Sequence, residues 1–186
     1  AINILPFKII SDYFQPSFET GMYSTDFGEI ESINLPDNTD LILNTNTSVT
    51  VSYEENTRLV HLSKGEVFVD VADDSGRPFH VSVGKYSVAA QGNAFSIRVF
   101  NGNVDITAFD GEIKISVFEQ SIDSLNEIGT NSIEGFESIV LLNEGQFIEF
   151  RPENAELEFV QESQSGFEND FAWRRGLLIF DDHSMR

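Results

Sequence analysis

Cysteine is missing from this chain, which removes disulfide staples, thiolate metal sites and a cysteine nucleophile at once. Methionine occurs twice and tryptophan once. No apolar run approaches the roughly 20 residues that a membrane-crossing helix needs, and Lys8 and Asp12 break up the apolar residues near the start. Basic side chains are scarce, 11 against 31 acidic ones, for a formal charge of -20. A field of that sign repels phosphate backbones and anionic membrane surfaces, so nucleic acid is not expected as a partner. The acidic excess reads as solubility in an exported or salt-exposed protein. With Ala1 at its head rather than methionine, the chain reads as a mature or excised soluble region whose anchor lies outside it.

The chemistry of catalysis is equally thin. His61, His80 and His183 stand at separations that match no metal-ligand spacing. The acidic doublets Glu54-Glu55, Asp73-Asp74 and Asp181-Asp182 lack the calcium-loop pattern and read as turn and capping residues. Glu66 and Asp70, four residues apart on a strand, lie about 13 Å from each other. Paired glycosidase carboxylates stand about 5 to 9.5 Å apart. A bond from Arg58 or Arg77 to Glu66 or Asp70 is expected instead. No nucleophile elbow, phosphate loop or dinucleotide fingerprint appears. The expectation is a protein without enzymatic activity, cofactor or metal.

What the chain does have is phenylalanine, 17 residues of it, with many Val and Ile. That inventory suits half-buried pleated surfaces better than helices. Between Arg58 and Phe100 apolar residues recur at every second position (Val67, Val69, Val71, then Phe79, Val81, Val83), the repeat of strands with two different faces. Lys64-Gly65 and Asp73 to Gly76 supply turn chemistry, and the chain is expected to reverse at both. Val81, Val83, Ile97 and Val99 join Val67, Val69 and Val71 as core candidates.

Residues 1–28 alternate weakly and read as an arm or short strands along the sheet. Residues 29–53 outline three strands through Ile30, Ile33 and Leu35, Leu41 and Leu43, and Val49, Val51 and Tyr53, with a turn at Pro36-Asp37-Asn38. Asn38 is suited to the left-handed conformation that such a turn needs. The runs around Val104 to Phe109 and Glu112 to Val117 read as a hairpin closed at Asp110-Gly111. Residues 119–137 lose the alternation and read as a long loop. Strand pattern returns from Val140 to Phe150 and from Leu157 to Val160, and a polar linker follows, with a domain boundary near 165. The whole predicts an all-β fold, a two-sheet antiparallel sandwich of jelly-roll type, with solenoid-like winding as second choice.

Several of these residues also carry a family pattern. Arg58, Leu62, Gly65-Glu66, Phe68, Asp70-Val71, Arg77-Pro78-Phe79 and Val81 stand in the order and spacing of the FecR family of periplasmic sensor regulators, which this sequence resembles. Tyr23-Ser24-Thr25, Leu35-Pro36-Asp37-Asn38-Thr39, Leu43-Asn44 and Tyr53 extend the likeness upstream. Gly92 and Phe95 match downstream, although Gln91 and Asn93 replace an apolar residue and a threonine. Asp110 to Ile113 and Gly145-Gln146 follow. The resemblance implies a β domain over 29–165. Residues 166–186 would then be a linker and the first strand of a small α/β unit, opened by the motif around Trp173, Arg174, Gly176, Leu177, Leu178 and Phe180.

The resemblance further implies a role. Family members are single-pass inner-membrane anti-sigma regulators whose periplasmic part meets the signalling domain of an outer-membrane TonB-dependent transducer. Their cytoplasmic segment, absent from this chain, acts on a sigma factor. Trp173, Leu177, Leu178 and Phe180 are the implied partner-binding residues, and self-association through that strand is a competing use. A carbohydrate-binding or hydrolytic jelly-roll is the alternative, disfavoured because the single Trp lies outside the β domain. If the alternation marks a core, Val69→Asp should cost several kcal/mol by burying an unpaired charge. Chemical denaturation checks this, and a soluble, cooperatively folding variant would contradict it.

Overall fold

In the computed structural model, residues 20–55, 57–118, 136–151 and 157–160 and Trp173 are described. Thirteen strands account for most of them. In chain order they are β1 (Thr20–Ser24), β2 (Glu31–Asn34), β3 (Asp40–Leu43), β4 (Ser48–Tyr53), β5 (Arg58–Asp70), β6 (Phe79–Val83) and β7 (Tyr86–Ala90). Then come β8 (Ala94–Phe100), β9 (Asn103–Ala108), β10 (Ile113–Phe118), β11 (Phe136–Leu142), β12 (Phe147–Phe150) and β13 (Leu157–Val160). The fold is all-β. Among the described residues no helix is long and apolar enough to cross a membrane.

The strands fall into two sets that share one member. Sheet A runs β1-β4-β5-β6-β7-β10-β11, and sheet B runs β2-β3-β5-β8-β9-β12-β13. The first part of β5 pairs with β4 and β6, and its last part, Gly65 to Asp70, pairs with β3 and β8. One apolar cluster joins Val49, Val60, Leu62, Phe79, Val81 and Ile115 of sheet A to Leu41, Val67, Val69, Phe95, Ile97 and Ile106 of sheet B. Each of these contributes on the order of 1.5–3 kcal/mol through burial. The core candidates Val67, Val69, Val71, Val81, Val83 and Ile97 are buried, and Val99 packs against the cluster half-buried.

Lys64-Gly65 does not reverse the chain, contrary to the sequence expectation. β5 continues through it and passes from one sheet to the other. The inward residues change phase there: Val60 and Leu62 point to the core on one side, Val67 and Val69 on the other. A strand keeps its inward side chains at even intervals, so the odd step from Leu62 to Val67 requires an extra residue. The β4–β5 register supplies it with an irregularity beside Ser48, as a β-bulge does when it bends a strand.

Two further expectations are corrected. Asp110-Gly111 does not close a hairpin, because β9 belongs to sheet B and β10 to sheet A. The turn carries the chain from sheet B to sheet A instead. The pairing is also not wholly antiparallel: β5 and β6 are parallel, with Arg58 beside Phe79. After β5 ends, residues 71–78 return toward its start, so β6 leaves from the same end. Asn38 adopts φ 67° as its turn position predicts. Residues 1–19, the expected loop apart from β11's first two residues, the linker and the domain boundary lie outside the described residues. Of the predicted arm, Thr20–Ser24 forms β1 against β4.

The corner in β5 depends on Gly65. Its φ is +88°, and an added Cβ would come 2.5 Å from the Thr47 Cα. Gly65→Ala should therefore destabilise by about 2–5 kcal/mol through strain and overlap. Gly84→Ala, at φ +51° with nothing within 4 Å, should cost only about 1–2 kcal/mol. Urea denaturation of both variants measures the contrast, and equal losses would remove the corner from its special place.

Candidate functional site

The motif residues gather at two places. The first lies where β5 begins, around Arg58, which is fully buried. A buried guanidinium needs both charge compensation and bonds for its donors. Its Nη1 donates to Asp37 Oδ2 at 2.6 Å and to the Ala72 carbonyl at 2.9 Å, and its Nε donates to the Arg77 carbonyl at 3.0 Å. The guanidinium carbon stands 5.5 Å from the centre of the Phe79 ring, a cation–π distance. Asp37 also accepts from the Tyr53 hydroxyl at 3.0 Å, the Thr39 amide at 3.1 Å and the Thr39 hydroxyl at 2.8 Å.

Burial alone would raise the Asp37 carboxyl, but the bonds from Arg58, Thr39 and Tyr53 outweigh it and hold the group below the ordinary aspartate range. Burial, reinforced by the Asp37 charge, pushes the Tyr53 hydroxyl well up, so it stays a neutral donor. The expected bonds from Arg58 or Arg77 to Glu66 or Asp70 are not formed. Arg58 pairs with Asp37, and Arg77 pairs with Asp74 at 2.8 Å. Glu66 and Asp70 sit in the far part of β5, which the corner carries away to the other sheet.

The second place is that corner and the face of sheet B beside it. Thr47 Oγ1 accepts from the Glu66 backbone amide at 3.0 Å, and the Asn44 side-chain Nδ2 donates to Glu66 Oε2 at 2.8 Å. Register then sets out two rows on the face turned away from the core. One is Ile42, Phe68, Ser96, Thr107 and Phe147; the other is Glu66, Arg98, Asp105 and Glu149. Phe68, Ser96 and Thr107 are buried although they point away from the core cluster, and Phe68 meets Phe109 edge-on at 5.5 Å. Trp173 is also buried, at 8% exposure. Its indole N–H lies against the Glu66 carboxyl without reaching hydrogen-bond geometry. Burial raises the Glu66 carboxyl, opposed by the Asn44 bond, the Arg98 charge and the indole N–H.

The remaining motif residues are architectural. The Pro78 carbonyl accepts from the Arg58 amide at 3.3 Å. Phe79 and Phe95 are buried in the core. Gly92 turns at φ +65°, beside a bond from the Gln91 amide to Asn93 Oδ1 at 2.9 Å, so the two residues that depart from the family pattern complete a bend. Leu177, Leu178 and Phe180 lie outside the described residues. His61 bonds Ser82 at 2.9 Å, and burial pushes His80 down. Among the described residues no cluster of three His, Cys, Asp or Glu is arranged for a metal. Sequence reasoning placed Asp37 and Thr39 in one motif and Tyr53 and Arg58 in others, and did not foresee their convergence. It also missed Thr47. The signal was a polar residue type repeated at turns next to a strand arginine that would otherwise be unpaired.

A family profile described as FecR protein matches residues 21–114. Two crystal structures of candidate anti-sigma factors from Parabacteroides distasonis ATCC 8503 share the fold. Each has a TM-score of 0.67, at 23% and 22% identity, covering 88% and 87% of this chain and 68% of theirs. No curated protein sequence matches this chain.

Removing either partner of the buried pair leaves the other charge without compensation. Asp37→Asn and Arg58→Met should each cost about 3–5 kcal/mol. A depressed folded-state value means that the Asp37 contribution is present above the ordinary value of 3.8 and is lost as pH falls through the lower folded value. The stability gap between the parent protein and Asp37→Asn should therefore narrow below pH 3.8. Urea titrations across that range check it, and a gap constant with pH would show that Asp37 is not ionised in the folded state.

Proposed function

Because this chain belongs to the FecR protein family, we propose that it is the periplasmic part of a membrane-anchored anti-sigma regulator, which passes a signal from an outer-membrane TonB-dependent transducer to a cytoplasmic sigma factor. The family match over 21–114 carries this reading. The shared fold of the Parabacteroides proteins is consistent with it. The motif residues that identify the family are the ones that bend β5 and hold its start in place, so the likeness reaches the architecture and not only the strand composition. The two layers around one core support a sandwich of jelly-roll type.

In this reading the protein works by contact rather than catalysis. The transducer's signalling domain meets the segment bearing Trp173, Leu177, Leu178 and Phe180, and the sigma factor meets a cytoplasmic segment across a single inner-membrane span. The surface charge suits an exported domain that avoids anionic lipid. Calorimetric titration of the transducer's signalling domain into this chain tests the assignment. Leu178→Asp should weaken binding at least tenfold by placing a charge in an apolar contact, and unchanged affinity would move the contact onto the β domain.

A further inference from the structure

The outer face of sheet B bears a feature that partner binding through the C-terminal segment does not explain. Phe68 sits on β5 between Val67 and Val69, both in the core, so it points the opposite way, yet only 7% of it is exposed. Its cross-strand neighbour Ser96 and the next in the row, Thr107, are 3% and 6% exposed. An outward-facing row in an otherwise solvated sheet keeps such low exposure only under a cover, and Phe109, edge-on at 5.5 Å, covers only part of Phe68 and does not reach along the row to Glu66's neighbours by itself. Trp173 is buried with its N–H against Glu66, two residues before Phe68 on the same face.

We propose that this face is a docking groove for the chain's own tryptophan: Trp173 seats beside Glu66 and latches the C-terminal segment to the β domain, so a partner that takes hold of that segment must first lift the indole from the sheet. The residue pairings suit that occupant. Small side chains at Ser96 and Thr107 leave room beside Phe68 for a flat ring, and Glu66 offers an acceptor to an indole, which can only donate. Asn44 holds the carboxylate from β3's end at 2.8 Å. Arg98 on β8, directly across from Glu66, is drawn away by two bonds to Asp105, at 2.9 and 2.6 Å. The elevated affinity of Glu66 for its proton, caused first by burial, fits a carboxyl that something covers.

The latch goes beyond the partner reading and concerns the protein alone, so it can fail without affecting that reading. Trp173 is the only tryptophan, and intrinsic fluorescence therefore reports on it without labelling. In the intact chain, acrylamide should quench Trp173 several-fold less than free N-acetyltryptophanamide. Phe68→Ala should raise quenching toward the free value while circular dichroism shows the β domain still folded. The charged groups that face Glu66 are Arg98 and Asp105. A pH-dependent emission change that belongs to Glu66, whose carboxyl burial raises, should vanish in Glu66→Gln, which keeps an acceptor for Asn44. Quenching equal to the free indole in the parent protein would overturn the proposal, as would a folded Phe68→Ala variant quenched no more than the parent. If Phe68→Ala does not fold, the titration decides: its persistence in Glu66→Gln removes Trp173 from that carboxyl.

Discussion

A guanidinium with no access to water holds this domain in shape. Taking an arginine out of water costs several kcal/mol unless its surroundings return as much. The surroundings of Arg58 come from four separate stretches: the turn before β3, the end of β4, the residues after β5 and the approach to β6. The last two are the ends of the 71–78 connection and the others lie apart in sequence, so a partial assembly leaves a charge stranded. The pair thus penalises every arrangement except the one in which β5 is bent and the chain has returned to lay β6 parallel beside it. Buried polar networks of this kind often add little net stability while excluding alternatives. Here the excluded alternative is the simpler antiparallel meander that the alternation of the sequence would also allow.

That division of labour bears on how the family pattern should be understood. Arg58, Gly65, Arg77, Pro78 and Phe79 occupy the bend and the closure of β5. They mark a way of folding a long strand across two layers. The outer face of sheet B carries two further pattern residues, Glu66 and Phe68, beside residues that the pattern does not specify. Its two rows, one of large apolar and small hydroxyl side chains, the other charged throughout, differ from the polar outer face usual for a solvated sheet.

Much of the strand layout could be read from alternation, because inward and outward faces impose a period of two on the residues themselves. Asn38 could be read for the same reason: the conformation belongs to the residue and its neighbours. What could not be read was the choice between partners. Asp110-Gly111 has the chemistry of a tight hairpin whether the flanking strands pair or part, and only the competition from β7, β11, β8 and β12 sends β9 and β10 to different sheets. The corner at Gly65 left one mark, the odd step between Leu62 and Val67, which a search for turns passes over in favour of the more obvious Lys-Gly. Trp173 stood out as a motif residue, but its seat against Glu66 joins positions more than a hundred residues apart and has no local signature.

The sharing of β5 by both sheets sets a limit on how the molecule can come apart. In a sandwich made of two complete sheets, one layer can loosen while the other persists. Here each sheet is built around part of the same strand, and Val60 and Val69, nine residues apart, anchor different sheets of one core. Fraying that reaches β5 from either side removes the template for both. No cut within this region would yield a half that folds alone, and a tension applied to the last strands of sheet B reaches sheet A along a covalent backbone rather than across a slippable contact. As a mechanical element the domain either transmits a pull whole or gives way whole.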